Sequence, residues 1–316
     1  MSDQPLTYSV FGLNLRSEIA LQELIESQFS AADVTIRLGS PPAELAMPRK
    51  TVNRWSVTDN EFLFAPAGIG RFYVSNGTDI LVESFGAKDD PALRGFVLGS
   101  CMGAIFQQRR QLALHASSFV VGDQAFAICG KSGAGKSTAG GLMRQSGAKL
   151  LSDDVTVFYG DDAPVVMPGY PVSKLSERSL TAIGDLGSGS GSGSGSGLGY
   201  REPGPQSDKL VCPIDVTRFH PKPAKLGGIF ILEIDERVPN VTCAALEAVQ
   251  AMASLRRHVY RKRYLLPQAD QAAFALIGKL IRQVPVTLIR RPPEIDTFSE
   301  LEELLRAQTA KRSEHV

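Results

Sequence analysis

The sequence predicts an α/β protein in two parts: a small β-rich N-terminal domain over residues 1–88 and a larger domain of strands and helices over 89–316. Three observations predict it. Residues 4–85 break into short runs of strand formers separated by Gly, Pro and Asn-Gly. From Asp90 onward apolar residues recur at helical spacing. The glycine-rich stretch Cys129–Thr138 joins a strand-like run to a helix-like one. With 316 residues, 43% of them apolar, the chain is long enough for two cores.

In chain order, Tyr8-Ser-Val-Phe-Gly, Val34-Thr-Ile-Arg-Leu, Glu61-Phe-Leu-Phe, Gly70-Arg-Phe-Tyr-Val and Asp79-Ile-Leu-Val read as strands. Asn76-Gly77 is a hairpin turn, and Glu18–Gln28 reads as a short helix. Leu93, Phe96, Val97, Cys101, Ile105 and Phe106 mark a core-facing helix ending in Arg109 and Arg110. Leu114–Val120 and Gln124–Ile128 follow as a strand pair, then Ser137–Gln145 as a helix. One apolar strand is expected over Lys149–Tyr159, carrying Asp153 and Asp154 near its middle. Beyond it, Gly227-Gly-Ile-Phe-Ile-Leu-Glu is a buried strand, Cys243–Tyr260 and Gln268–Gln283 are helices, Pro285–Ile289 a strand and Phe298–Ala307 a helix. Residues 187–197 alternate Gly and Ser without a break, which reads as an inserted linker standing in for a native loop.

Charge and cysteine usage narrow the class. A formal net charge of +1 supplies no field for nucleic acid or a membrane surface. Cys101, Cys129, Cys212 and Cys243 are scattered, which suits a reducing cytoplasm better than a disulfide framework. The first residues lack a basic start and an apolar run, and no stretch approaches a membrane span. A cytoplasmic protein is expected, with self-association into a homo-oligomer left open.

Gly130, Lys131, Ser132, Gly133, Ala134, Gly135, Lys136, Ser137 and Thr138 contain the pattern G-x-x-x-x-G-K-[ST]. Glycines let successive backbone N–H groups turn inward on a phosphate at the positive end of the following helix. Lys136 would reach the terminal phosphates of ATP, and the Ser137 hydroxyl would ligate Mg²⁺. No Asn-Lys-x-Asp element accompanies the loop, so a guanine-specific protein is disfavoured.

Such a loop needs a carboxylate for the metal, and a transferase also needs a base. Two places offer them: Asp153-Asp154, and Glu233 or Asp235 at the end of Phe230-Ile-Leu-Glu-Ile-Asp. Adjacent acids on one strand would diverge to opposite faces, which is costly if either face is buried. A turn or bulge there would direct both to one site. Arg256–Arg263 packs five cations into eight residues, so Arg257, Arg261 and Arg263 are candidates to clamp a phosphate or an acidic peptide. Lys209 is a candidate substrate-side cation. His220, His258 and His315 are too scattered for a metal site.

The succession Leu114-His115-Ala, a strand pair, Gly-Lys-Ser-Gly-Ala-Gly-Lys-Ser-Thr and Ser146-Gly-Ala-Lys-Leu-Leu-Ser-Asp-Asp-Val resembles the catalytic core of the HPr kinase/phosphorylase family. The resemblance runs from about Leu114 to Val157 and implies a fold akin to ATP-dependent phosphoenolpyruvate carboxykinase. It implies Asp153 as general base for a serine hydroxyl, Asp154 as a Mg²⁺-side carboxylate with Ser137, and His115 beside the phosphates. It also favours Asp153-Asp154 over Glu233 and Asp235. Two features depart from that family: no Arg-Gly-Leu-Gly signature follows the loop, and residues 1–85 are unlike its N-terminal domain. Tyr8-Ser-Val-Phe-Gly-Leu-Asn-Leu-Arg-Ser-Glu-Ile and Pro168-Gly-Tyr-Pro look instead like shorter HPr-kinase-like serine kinases. Some of those phosphorylate the C-terminal serine of a lasso-peptide precursor. The expected partner is therefore a peptide or small protein bearing a serine. The alternatives are a nucleotide-dependent binding module, or an HPr(Ser) kinase/phosphorylase.

Overall fold

The computed structural model describes residues 5–160, 162–183, 200–201, 208–294 and 297–313. The Gly/Ser run 187–197 lies outside the described residues. The chain forms two compact units, one of residues 1–113 with 260–275, the other of 114–259 with 276–316.

The first unit is built on an eight-stranded sheet. Its strands are β1 (Leu6–Val10), β2 (Leu13–Ser17), β3 (Val34–Leu38), β4 (Lys50–Val52), β5 (Trp55–Val57), β6 (Glu61–Phe64), β7 (Gly70–Ser75) and β8 (Asp79–Ser84). They lie in the order β1-β2-β3-β8-β7-β6-β5-β4. Asn76 and Gly77 take φ of 55° and 69° between β7 and β8, the left-handed pair that a two-residue hairpin requires. The helix expected over Glu18–Gln28 does not form. Ser17 Oγ donates to the Ile19 carbonyl and accepts the Ile19 N–H, while the Leu21 N–H is taken by the Tyr8 hydroxyl. Local side-chain bonds of this kind compete with the helical ladder.

A helical run follows as α1 (Pro91–Phe96), a π-helical turn (Val97–Cys101) and α2 (Met102–Gln108). Phe96 meets Phe64 and Phe72 at centroid separations of 5.3 and 5.8 Å, and Phe106 meets Phe11 at 5.5 Å. These contacts draw the run into the first unit, so the division falls at Ala113/Leu114 rather than at the expected 88/89. Tyr264, from the returning segment, is buried between Trp55 (4.7 Å) and Phe62 (4.9 Å). Aromatic pairs at these separations add about 0.5–1.5 kcal/mol each beyond area burial.

From β9 (Ala113–Leu114) the chain enters the second unit. β10 (Ala116–Val121) and β11 (Gln124–Gly130) form a hairpin, followed by α3 (Lys136–Gln145) and β12 (Lys149–Ser152). Next come β13 (Thr156–Tyr159), β14 (Val165–Met167), β15 (Val172–Ser176), α4 (Glu177–Ile183), β16 (Tyr200–Arg201), β17 (Lys209–Pro213) and β18 (Ala224–Ile234). The unit closes with β19 (Thr242–Ala245), α5 (Ala248–Arg257), the later part of α6 (Pro267–Gln283), β20 (Val286–Arg291) and α7 (Thr297–Ser313). The helix expected from Cys243 therefore starts later, at a capping box of Glu247 and Gln250, because Thr242–Ala245 pairs with β20.

The main sheet runs β12-β10-β11-β18-β14-β13-β9, with β20 joining β18 and β19. β11, β18 and β20 are parallel; after the turn at Gly130, α3 packs on β10, β11 and β12, and α7 packs on β18. Phe119, Phe126 and Phe230 stack across three adjacent strands at 6.1 Å spacings. Ala139, Leu142 and Met143 of α3 share that core with Phe298, Leu301 and Leu305 of α7. A separate sheet, β15-β17-β16, carries Ser173, Lys174 and Lys209.

Candidate active site

The glycine-rich loop leaves the C-terminal end of β11 and enters α3, the position where open α/β sheets bind ligands. Two glycines take left-handed conformations, Gly133 at φ 81° and Gly135 at φ 102°. A Cβ on Gly130 would stand 2.6 Å from the Leu232 carbonyl oxygen of β18, and one on Gly135 would stand 2.9 Å from the Phe298 ring. The loop is thus pressed between a neighbouring strand and α7. Arg291, buried on β20, braces it from outside: Nε donates to the Ala134 carbonyl at 3.2 Å, and the guanidinium lies 4.5 Å from the Phe298 ring centre.

Lys136, the first residue of α3, is buried and folds back along the loop. Its Nζ donates to the carbonyls of Gly130 (2.9 Å) and Lys131 (3.2 Å). Burial, and then the charge of Lys209, lower its pKa against the pull of Asp154 and Asp153. Lys209, in register opposite Ser176, is therefore within electrostatic reach of the loop.

The strand expected through Asp153 and Asp154 is broken there. β12 ends at Ser152, β13 starts at Thr156, and Asp154 takes φ 70°. This bend removes the strand alternation that would have sent the two carboxylates to opposite faces. Asp153 turns toward α3, where its Oδ1 accepts the Ser137 hydroxyl at 3.0 Å. Its Oδ2 accepts Ser173 Oγ (3.0 Å) and the Lys174 N–H (2.8 Å). Asp154 turns toward the strand pair. Its Oδ2 receives Lys174 Nζ at 2.9 Å, and its Oδ1 lies 3.1 Å from His115 Nδ1.

His115 Nδ1 is also 2.9 Å from the Asp154 carbonyl oxygen. A carbonyl only accepts, so Nδ1 carries the proton. Burial would raise the Asp154 pKa, but Lys174 and His115 outweigh it and hold the carboxyl well below the usual range. Ser137 bonds to Asp153, whereas the family resemblance places it with Asp154 at Mg²⁺. The reason is the left-handed residue between two short strands, which no propensity signals.

Other candidates fall in different places. Asp235 pairs with Arg237 (2.8 Å) and Arg290 (3.8 Å), and its pKa falls to about 2 chiefly through the Arg237 hydrogen bonds. The cationic run is divided between the units after Val259. Arg257 stays in the second unit, donating to Ser254 Oγ at 3.4 Å. Arg261 lies over the Tyr260 ring, and Arg263 donates to the Tyr264 hydroxyl at 2.9 Å, both within the first unit.

Lys174, Ser173 and Arg291 escape the sequence reading, and His258 enters it only as a rejected metal ligand. The His258 carbonyl accepts the His115 N–H at 2.7 Å. Burial first, then the charges of Lys136, His115, Arg257 and Lys131, lower its pKa to about 4. Lone polar residues outside any motif leave no local signal; only their position beside the loop marks them.

The donors suit magnesium bound together with a nucleotide. Ser137 and Asp153 present a hydroxyl and a carboxylate at the loop, both hard oxygen ligands. Among the described residues, no group of three or more His, Cys, Asp or Glu side chains could hold an ion without such help. Nor is any helix among them long and apolar enough to cross a membrane.

No protein-family model matches the sequence, and no curated protein matches it. Among solved structures, the Hpr(Ser) kinase/phosphatase from Coxiella burnetii is similar over 64% of this chain and 98% of its own, with 14% identity and a TM-score of 0.32. A likeness of that size carries no argument about activity.

Proposed function

We propose that this chain is an ATP-dependent kinase that phosphorylates a serine hydroxyl on a flexible peptide. The observation that carries the reading is the Ser137–Asp153 bond at the glycine-rich loop, with a second carboxylate, Asp154, at the next residue. A pure nucleotide switch has no use for the second acid.

The loop amides and Lys136 would hold the phosphates of ATP, with Lys136 exchanging the Gly130 and Lys131 carbonyls for phosphate oxygens. Ser137 and Asp153 would hold Mg²⁺, which neutralises charge on the phosphates when bound. Asp154, oriented by His115 and Lys174, would receive the acceptor serine. The serine oxygen forms the new P–O bond as the bond to the ADP oxygen breaks, and the serine proton passes to Asp154 and then to solvent. A carboxylate held this firmly is a weak base. Phosphoryl transfer depends mainly on positioning and electrostatics, so basicity is the lesser requirement. The peptide acceptor, and the C-terminal serine of a lasso-peptide precursor as its candidate, rest on the family resemblance.

The test is mass spectrometry of a precursor peptide ending in serine, incubated with Mg·ATP and the full chain. A gain of about 80 Da on that serine is expected. Preferential labelling of HPr would overturn the acceptor, and Mg·ATP binding with no transfer would favour a binding module.

A further inference from the structure

Lys174 touches both acids with two different groups. Its backbone N–H donates to Asp153 Oδ2 at 2.8 Å, and its ammonium donates to Asp154 Oδ2 at 2.9 Å. It lies on β15, whose residues 172–176 pair along one side with 213–209 of β17, Lys174 opposite Val211. On the other side of the strand the Lys174 N–H, a donor that an edge strand leaves open, is spent on Asp153. The lysine is therefore delivered from an anchored strand, not from a loop. Asp154 has the left-handed backbone and a largely buried carboxylate, a combination that needs a countercharge.

We propose that Lys174 is a positioning residue for phosphoryl transfer, locking the 153–154 turn so that Asp154 faces the acceptor while Asp153 stays on Ser137; this rests on the kinase reading above. The ammonium is required for transfer and dispensable for nucleotide binding, because the loop and the Ser137–Asp153 contact do not use it. Substitution keeps the backbone bond to Asp153, so Lys174→Met isolates the ammonium.

Four measurements on the full chain test it. In Lys174→Met, calorimetry should give a Kd for Mg·ADP within about 3-fold of the parent, while kcat for the serine peptide falls about 100-fold and its KM changes little. Lys174→Arg keeps the charge with a different fork and should recover about 10-fold of that loss. Adding Lys174→Met to Asp154→Asn should cost nothing further, because one acts through the other. Amide hydrogen exchange over residues 153–155 should quicken in Lys174→Met and stay near the parent rate in Lys174→Arg.

A kcat within about 3-fold of the parent, or unchanged exchange at the turn, overturns the role of Lys174. Absence of transfer by the parent would instead count against the kinase reading. The exchange arm would then still decide whether the Lys174 ammonium locks the 153–154 turn.

Discussion

Asp153 and Asp154 are neighbours in sequence with different side-chain partners, one bonded to Ser137 and Ser173 and the other to the Lys174 ammonium and His115. Their loss should therefore separate. Asp153→Asn removes half of the proposed metal ligand pair, so the Mg²⁺ concentration for half-maximal rate should rise about 10-fold. Asp154→Asn should leave that requirement unchanged and lower kcat by about 10²–10⁴-fold, the usual worth of a positioned acid or base. Initial rates across a Mg²⁺ series check both. The reverse pattern would restore the roles that the family resemblance implies, with Asp153 as base. At this scale the acids were legible as a pair. Their division of labour was not, because it depends on one left-handed residue.

At the scale of elements, the loop and α3 were legible because glycine spacing is itself the mechanism. Gly135 has φ 102° and a Phe298 ring where a Cβ would go, whereas Gly133 has φ 81° and open space around it. Gly133→Ala should cost about 1–2 kcal/mol, the conformational term alone. Gly135→Ala should cost more, since a strained backbone of about 1–3 kcal/mol is joined by overlap with the ring. Urea unfolding of both variants gives the order, and an equal loss would show that α7 yields freely. For a related reason the sequence predicts one strand where β12 and β13 form. The apolar pattern continues through the acids, and only the partners Ser137 and Lys174 break it.

At the scale of the whole molecule, His258 makes stability depend on pH. Its folded pKa of about 4 lies below its ordinary value of 6.5. Between those values the unfolded chain binds more protons, so stability from this group is present above pH 6.5 and is lost as pH falls toward 4. Urea midpoints measured across that window should fall in the parent and fall less steeply in His258→Gln. Equal slopes would mean that the imidazole is not shielded as the structure has it. Asp154, also depressed, acts in a lower window, below its ordinary 3.8, so the two contributions separate.

By itself the sequence determined the α/β class, the hairpin at Asn76-Gly77 and the loop from Gly130 to Thr138. Each of these is written in local spacing: period-two strands, a turn that only glycine and asparagine tolerate, and glycines followed by lysine and serine. Only the tertiary structure decided that the helical run after Asp90 packs with the first unit, because aromatic contacts with residues as distant as Phe11 settle it. It likewise decided the split of the cationic run between units, and the arrival of Lys174, His258 and Arg291 beside the loop. These residues reach the loop from strands and turns far along the chain. The free energy that selects them comes from burial and charge pairing across those distances, and no window of neighbouring residues records it.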